Sequence, residues 1–584
     1  MKTKLLILIT VTCTLALHGY ADDITWNLNP INGNWHVAEN WTPEGVPRGS
    51  DTAHFALSNV TSVSVERAET NIQAIVFDAT ASAYTFTLDQ SENAALFFLG
   101  DGIINNSGQV QNFMNTASCD GALPTDIQFF GNASAGSQTL FTNQGGHGDL
   151  GSGHTIFNDR STAGEAMFVN KPACEAGFIY GGTVFFDDDA SAGSAVFINE
   201  GGAVSGGGGG EIKFNYNATA GNANITALGG AVAGAINSYV DFLGDATAGS
   251  ATFVAKGGQA KGAYGGQILF LGSNSADNAN FTINGGTPGS AFGGDLLFDE
   301  DSRMDNATCV INGGTDGGPG GILELSQSST GGTARIEVFG NGTLDITSHD
   351  RPGITIGSLE GDGIVLLGDN NLTIGSNNLT TEFSGNIQNS GSLSKVGTAT
   401  FTLSGANTYT GGTTVSAGSL VINNTSGSGT GTSAVQVNSG TLGGHGTIAG
   451  AVTIGTGSGP GAFLAPALGT RKTATLTIQS PLTLNSDATY TYTYRAKRNR
   501  ASTDLVVANG VTINSGAILD FDGTIHGRLT PGLVFTVISN TSANPINGTF
   551  TNLPDGSTIV LAGNSFQASY EGGDGNDLTL TVVP

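Results

Sequence analysis

Two runs of acidic side chains contain the residue types that acid–base or calcium chemistry would need. Asp187–Asp189 and Asp299–Asp301, with Glu300 at the centre of the second run, each follow a short apolar segment. Paired carboxylates cleave glycosidic bonds, and carboxylate clusters also bind Ca²⁺. Lys and Arg, which often complete such sites, are sparse in this part of the chain. We therefore favour a solvated acidic edge and predict no catalytic residue, metal site or cofactor; a calcium ladder and a catalytic pair are the alternatives.

Two further motifs resemble metal sites. His147 and His154 have Asp149 between them, but they lie in or beside a Gly-rich turn. Gly572–Asp577 matches one unit of the calcium-binding G-G-x-G-x-D repeat, and the apolar residues after it are out of phase with that repeat. We predict a loop at the first motif and a hairpin turn at the second. Sequence signatures of serine hydrolases, phosphate-binding loops and zinc proteases are absent.

One basic segment interrupts the acidic chain, where three alternating tyrosines run directly into four cations. These residues are Tyr490, Tyr492, Tyr494, Arg495, Lys497, Arg498 and Arg500. Aromatic rings beside cations could bind an acidic surface glycan or a lipid headgroup. An exposed, protease-sensitive loop is the alternative.

The three tryptophans, Trp26, Trp35 and Trp41, fall close together near the start of the chain. Such rings could stack on sugars. They could equally close the open end of a repeat protein, whose first repeat would otherwise expose its core. We favour the second interpretation.

The composition excludes several classes of protein. The chain has 20 Lys+Arg against 47 Asp+Glu, a net charge of −27, which argues against a nucleic-acid partner. A hydrophobic content of 38% is too high for a disordered acidic chain. Glycine is abundant, with 91 residues, but only 15 prolines accompany it, so the chain is not collagen. Many short elements joined by turns are expected.

The N-terminus and the cysteines indicate the compartment. A basic start, an apolar segment and a small-residue site ending at Ala21 predict a secretory signal peptide over residues 1–21. The mature chain keeps Cys119, Cys174 and Cys309. Their odd number and wide spacing predict neither a disulfide framework nor a zinc site.

The middle of the chain repeats with a period of about 28 residues. A marker residue stands 27–29 residues after the previous one, at Gly136, Gly164, Gly193, Gly221, Gly249, Asp277, Asp305 and Gly332. Seven residues before each marker lie Phe129, Phe157, Phe186, Phe214, Phe242, Phe270, Phe298 and Leu325. Four residues after each marker lie Leu140, Phe168, Phe197, Ile225, Phe253, Phe281, Cys309 and Ile336. Both segments alternate apolar and polar residues, which predicts strands with one buried face.

Strand, turn, strand and turn at a fixed period indicate a solenoid, in which each coil buries its apolar face against its neighbours. The period-2 alternation argues against helical repeats, and leucine-rich and hexapeptide signatures are absent from the sequence. We predict an all-β, right-handed parallel β-helix with capping regions at both ends. Its core would hold a ladder of seven phenylalanines ended by Leu325. Cys309 would be a small buried side chain, with a reactive thiol as the alternative.

A second pattern begins at Leu393. Its residues are Leu393, Lys395, Gly397, Phe401, Leu403, Gly405, Asn407, Tyr409, Gly411, Gly412, Thr413, Val415, Gly418 and Leu420. They resemble the passenger-associated transport repeat, or autotransporter-associated β-strand repeat, of bacterial autotransporter passengers. The resemblance implies a β-helix that is secreted or exposed on the cell surface. Autotransporters usually end in a membrane β-barrel; the residues after Ser480 lack that pattern, so we expect a passenger-type solenoid without its own translocator.

These patterns divide the sequence into five parts. They are the signal peptide (1–21), an N-terminal cap with the first coils (22–125), the array of 28-residue repeats (126–350), an autotransporter-type β-helix (351–480) that contains the transport repeat at 391–423, and a C-terminal β-rich cap (481–584).

The resemblance implies a secreted or cell-surface protein, in the outer membrane or outside the cell, with an adhesive or envelope-structural role and no enzymatic activity. Its partners would be host-cell or matrix surface molecules or glycans. A carbohydrate-active β-helix enzyme, such as a polysaccharide lyase or glycosidase, is one alternative, and an inert spacer is another.

Overall fold

The computed structural model describes residues 22–584, apart from 90–92, 118, 120–123, 147–150, 178–180, 288, 290 and 469–471. The predicted signal peptide lies outside the described residues, as do His147 and Asp149. The described residues form fifty strands and one short 3₁₀-helix, Ala38–Asn40. None of the helices in this part of the chain is long and apolar enough to cross a membrane. The predicted all-β class is confirmed.

The strands fall into two groups, one up to the end of the 28-residue array and one after it. The first group is β1 (Asp23–Trp26), β2 (Trp41–Thr42), β3 (Thr52–Phe55), β4 (Ser62–Val65), β5 (Thr70–Phe77), β6 (Thr85–Leu88), β7 (Ala95–Asn105), β8 (Gln111–Asn115), β9 (Thr125–Phe129), β10 (Ser137–Asn143), β11 (Gly153–Phe157), β12 (Glu165–Asn170), β13 (Thr183–Phe186), β14 (Val196–Asn199), β15 (Glu211–Phe214), β16 (Asn224–Ala227), β17 (Tyr239–Gly244), β18 (Thr252–Ala255), β19 (Gln267–Gly272), β20 (Asn280–Ile283), β21 (Asp295–Asp299), β22 (Thr308–Ile311), β23 (Ile322–Leu325) and β24 (Gly331–Val338). The second group is β25 (Thr343–Asp345), β26 (Gly353–Gly361), β27 (Ile364–Leu366), β28 (Asn371–Ile374), β29 (Thr381–Phe383), β30 (Asn386–Gln388), β31 (Ser392–Lys395), β32 (Thr400–Leu403), β33 (Thr413–Val415), β34 (Ser419–Ile422), β35 (Val435–Val437), β36 (Gly440–Gly444), β37 (Thr447–Ile448), β38 (Val452–Ile454), β39 (Ala462–Ala465), β40 (Thr475–Ile478), β41 (Leu482–Leu484), β42 (Ala488–Lys497), β43 (Arg500–Thr503), β44 (Leu505–Ala508), β45 (Val511–Ile513), β46 (Ile518–His526), β47 (Val534–Asn540), β48 (Thr558–Leu561), β49 (Asn564–Gly572) and β50 (Asp577–Val583).

Two parallel sheets run through the array. In the first sheet, the odd-numbered strands from β1 to β27, followed by β30, pair in chain order, and β2 pairs antiparallel with β1 at the edge. The even-numbered strands from β4 to β26 pair in the same way and form the second sheet. Each coil of the array therefore gives one strand to each sheet and pairs with the equivalent strand of the next coil. This is the predicted parallel β-helix.

The first sheet carries the phenylalanine ladder on its inner face. All seven phenylalanines from Phe129 to Phe298 are fully buried, and Leu325 follows them in register. Neighbouring rings are stacked with centroids 4.3–4.9 Å apart and planes within 12° of parallel. Phe98 extends the ladder by one more coil towards the N-terminus. Stacked rings combine large apolar burial with favourable ring geometry, so the ladder is a main stabilising element.

A second aromatic column lies on the inner face of the second sheet and corrects one predicted position. Phe141, not Leu140, pairs with Phe168 and stacks on it at 4.8 Å. An extra residue in β10 shifts the register between Ser137 and Leu140, and Gln138 takes a left-handed φ of 53° there. A one-residue bulge of this kind moves every later side chain of the strand to the other face.

The repeat markers occupy a corner that needs left-handed backbone. All eight markers have a positive φ, between 47° and 77°, and the two aspartates, Asp277 and Asp305, have φ of 48° and 47°. Space is also short, because a Cβ on Gly164 would lie 2.8 Å from the carbonyl oxygen of Gly136 in the preceding coil. Glycine meets both needs, and aspartate tolerates this conformation better than most residues.

A buried column of asparagines follows the second aromatic column. Asn115, Asn143, Asn170 and Asn199 end successive strands of the second sheet and have no solvent exposure. Each side-chain amide nitrogen donates to the amide oxygen of the next asparagine at 2.7–2.8 Å. The last one, Asn199, donates to the carbonyl of Tyr239 at 2.8 Å. The column satisfies the buried amides of Asn143, Asn170 and Asn199, a requirement that the 28-residue pattern did not reveal.

The solenoid continues after the array with shorter coils. Beyond β26 the second sheet has two branches, β28-β31-β33-β35-β38-β41-β45 and β29-β32-β34-β36-β39-β42-β46. Leu372, Leu393 and Thr413 hold equivalent places in successive coils, 21 and 20 residues apart (393 − 372 and 413 − 393). A third sheet, β37-β40-β44-β47-β50-β49-β48, starts with parallel pairs and ends with antiparallel ones, which stops the parallel stacking at the C-terminal end.

Candidate functional site

The two acidic runs lie on the turns that leave the first sheet. Asp188 and Glu300 each come two residues after a ladder phenylalanine and have left-handed φ values of 56° and 55°. Gly244 holds the same place in another coil, with a φ of 73°. The acidic residues at this position therefore meet a backbone requirement of the turn, which glycine meets elsewhere.

The neighbouring carboxylates of these runs bind the next coil. Asp187 accepts a hydrogen bond from the Asn215 side-chain nitrogen at 2.7 Å. Asp299 accepts one from the Ser326 hydroxyl, also at 2.7 Å. These carboxylates join successive turns along the edge of the solenoid, which supports the predicted acidic edge.

The described residues of the two sequence motifs that resembled metal sites have other structural roles. Nδ1 of His154 lies 3.1 Å from a carboxylate oxygen of Asp126 in the preceding coil, whereas His147 and Asp149 lie outside the described residues. Gly572–Asp577 is the turn of the antiparallel hairpin β49–β50, as predicted. No group of three or more His, Cys, Asp or Glu side chains in the described part of the chain is placed to hold a metal ion.

The cysteines correct one prediction and confirm another. Cys119 and Cys174 form a disulfide across 55 residues of sequence, about two periods of the array, although the sequence predicted no disulfide framework. Cys309 is free and fully buried between Phe281 and Ile336, and burial raises the pKa of its thiol. It is therefore the small buried side chain that the repeat predicted.

The tryptophans close the N-terminal end of the core. All three are 0–1% exposed. Trp41 meets Trp26 and Trp35 edge to face, with ring centroids 5.0 and 4.9 Å away, and all three contact Phe55. Buried rings cannot stack on a sugar, so the interpretation as a plug is supported.

A carboxylate pair on the outer face of the first sheet was missed by the sequence analysis. Glu211 and Asp241 lie on the adjacent strands β15 and β17, and Lys213 pairs with Asp241 in register. Glu211 is only 2% exposed, and its carboxylate lies 3.0 Å from the Lys213 ammonium. Burial raises the pKa of both carboxyls, and Lys213 opposes that rise. The pair therefore retains a proton at a pH where exposed carboxyls are ionised.

This pair predicts a specific pH dependence of stability. The folded pair binds a proton that the unfolded chain releases, so stability should fall as the pH rises above about 4.5, the ordinary range for Glu. Between about pH 5 and pH 8, the stability of Glu211→Gln should fall by about 1–2 kcal/mol less than that of the wild-type chain. Urea unfolding over this range is the measurement. The exposed Glu165→Gln is the matched control, and an equal effect of both substitutions would contradict the assignment.

The three tyrosines of the basic segment pack against the core, and burial leaves Tyr490 and Tyr492 no surface for the predicted ligand contact. Tyr490 and Tyr492 are fully buried and Tyr494 is 5% exposed. The hydroxyls of Tyr490 and Tyr492 donate to carbonyls of Val537 and Thr536 on β47. Burial raises the pKa of all three phenols.

The cations that follow the tyrosines remain at the surface. β42 continues past the core and turns back into β43, while β46 runs parallel on its other side. We call Tyr494–Thr503 together with Gly523–His526 the cationic flap. Its exposed face carries Arg495 and Lys497, whose neighbours across the strands are Ser502 and Arg500 on β43 and Thr524 and His526 on β46.

The flap borders an open groove of about 730 Å³. Arg495, Lys497, Arg500 and His526 all line it, and Asp522 is its one carboxylate among the described residues. Of the predicted ligand-binding residues, Arg495, Lys497 and Arg500 line the groove together with Tyr494, whereas Tyr490 and Tyr492 lie in the core. The geometry is that of a shallow binding surface.

Comparison with known proteins assigns part of the solenoid to a family. The passenger-associated transport repeat matches residues 393–422. These residues form β31 to β34, which are consecutive strands of the two branches of the second sheet. The protein is therefore a parallel β-helix that carries one passenger-associated transport repeat within its second sheet.

Among solved structures, the crystal structure of the Haemophilus influenzae Hap adhesin is similar. The sequences are 11% identical, the likeness covers 93% of this chain and 65% of that chain, and the TM-score is 0.24. This chain thus spans less than two-thirds of that structure, and a likeness at this level assigns no function to it. Comparison with curated protein sequences finds no match.

Proposed function

We propose that the protein acts outside the cytoplasm, secreted or at the bacterial cell surface, as a non-enzymatic passenger-type β-helix with an adhesive or envelope-structural role. The observation that carries this proposal is the transport repeat at 393–422, which forms regular coils of a solenoid that is continuous with the array. The Cys119–Cys174 disulfide supports it, because disulfides persist in oxidising compartments outside the cytoplasm.

The positions of the acidic side chains favour a structural role over catalysis. Asp187 and Asp299 bind the next coil, and Asp188 and Glu300 form turns. Glu211, which has a raised pKa, is closed off from solvent and lies against Lys213. A glycosidase needs two carboxyl groups open to one sugar, whereas the carboxylates of Asp187, Asp299 and Glu211 are engaged in contacts within the solenoid.

The test compares binding with turnover on the purified mature chain. We expect retention on a glycan array or matrix-coated surface, with no release of reducing ends or unsaturated products from acidic polysaccharides. Turnover that disappears in Asp188→Asn, or in Asn and Gln variants of Asp299, Glu300 and Asp301, would overturn the proposal in favour of a carbohydrate-active enzyme. Failure to bind any surface would favour an inert spacer.

A further inference from the structure

We propose that the cationic flap is a binding site for an anionic polysaccharide, one that carries carboxylate or sulfate groups along an extended chain. The inference rests on the proposed function and names the ligand class that the surface would recognise. It depends on three observations: cations without acidic partners, hydroxyls between them in an open groove, and the charge of the rest of the chain.

None of the flap cations has an ion-pair partner among the described residues, whereas several basic residues of the solenoid do. In the solenoid, six basic residues contact carboxylates within 4 Å: Arg160, Lys171, Lys213, Arg303, Arg335 and Arg351. Among the described residues, no ion pair involves Arg495, Lys497, Arg498 or Arg500. In a chain with 47 acidic residues, four neighbouring cations without such a partner leave positive charge available to an anion from outside.

The groove places cations and hydroxyls in rows that an extended ligand could follow. Arg500, Lys497 and His526 form one row across the three strands, and Ser502, Arg495 and Thr524 form the next. The rows lie about 6–7 Å apart, two residues along the strands. Guanidinium and ammonium groups bind carboxylate and sulfate oxygens, and the hydroxyls between them suit the hydroxyls of a sugar.

The charge of the whole chain restricts an anionic ligand to this surface. With a net charge of −27, the remaining surface repels polyanions. Asp522 also lines this groove and pairs with Thr493, two residues before Arg495 on β42. Because its carboxylate repels anions, an anion would bind farther along β42, near the turn between β42 and β43. We expect a single binding site per chain and an affinity that falls as salt is added, because about 1 M salt shortens the Debye length to about 3 Å.

The test measures binding of the purified mature chain to immobilised heparin and to polygalacturonate, with neutral dextran as the reference. The triple variant Arg495→Ser, Lys497→Ser and Arg500→Ser removes three flap cations. The matched control is Arg160→Ser, Lys256→Ser and Lys261→Ser, which removes three exposed cations from the array. Thermal unfolding of both variants checks that each is folded, and the flap residues are exposed enough for a folded variant to be expected.

We expect the wild-type chain and the control to bind at least one polyanion with one site per chain, and the flap variant to lose about tenfold or more in affinity, equivalent to about 1.4 kcal/mol. Equal binding by both variants would overturn the inference while leaving an adhesive function in place. Absence of polyanion binding by the wild-type chain would overturn the inference as well. Preferential binding to vesicles of anionic phospholipid or to duplex DNA would assign the flap to another ligand class, and would also overturn it.

Discussion

Phe242→Ala will lower the free energy of unfolding by about 3–5 kcal/mol, the ordinary cost of removing a buried phenylalanine ring. Phe242 is fully buried, stacks on Phe214 at 4.7 Å and on Phe270 at 4.3 Å, and meets Phe253 edge to face at 5.8 Å. The substitution therefore opens a cavity within the ladder and removes ring contacts to three neighbours. Guanidinium unfolding, followed by circular dichroism, measures the change.

Tyr216→Ala provides the control for this experiment. Tyr216 lies in the turn after β15, two residues after Phe214 and one coil before Phe242. It is 65% exposed, so loss of its ring should change the unfolding midpoint little. An unchanged midpoint for Phe242→Ala would show that the ladder does not stabilise the solenoid. A loss of stability no larger than that of Tyr216→Ala would lead to the same conclusion.

Asn170→Ala is expected to cost at least about 3 kcal/mol, because it leaves several buried polar groups without partners, each worth about 1–3 kcal/mol. Asn170 accepts a hydrogen bond from Asn143 and donates to Asn199 and to the carbonyl of Glu211. None of these groups in the column is open to water. The same unfolding measurement applies.

Asn170→Leu separates the polar effect from a packing effect. Leucine fills a similar volume but restores none of the hydrogen bonds, so it should be as destabilising as alanine. The exposed Asn306→Ala should have little effect. If leucine restored the wild-type stability, the cost would come from the cavity, and the hydrogen-bonded column would not be the stabilising feature that the structure indicates.

The sequence predicted the core well where one residue type recurs at one period. Phenylalanine at every 28 or 29 residues identified the ladder, since stacked coils bring equivalent positions together. Leu140 was wrong because a single inserted residue changes the face of a strand without disturbing the period. The asparagine column also recurs, at Asn115, Asn143, Asn170 and Asn199, but an isolated polar residue after an apolar run resembles the start of a turn.

The candidate site could be predicted only in part. The alternation of side chains along Tyr490–Lys497 indicates a strand with two different faces, but it does not tell which face is buried. In the structure, the tyrosines lie on the buried face. The cations were found because they cluster in sequence. Glu211 and Asp241 were missed because the burial of an outward-facing side chain depends on neighbours from distant parts of the chain. The disulfide was missed because two coils separate Cys119 from Cys174.

The central claim is that this solenoid works outside the cytoplasm. The most direct measurement adds trypsin to intact cells that produce the full-length chain, and then follows the chain in the surface, medium and cytoplasmic fractions. We expect the chain at the surface or in the medium, with cleavage at the exposed Arg498 and Arg500 of the cationic flap while a cytoplasmic marker stays intact. Recovery of an uncleaved chain with the cytoplasmic marker would contradict the account.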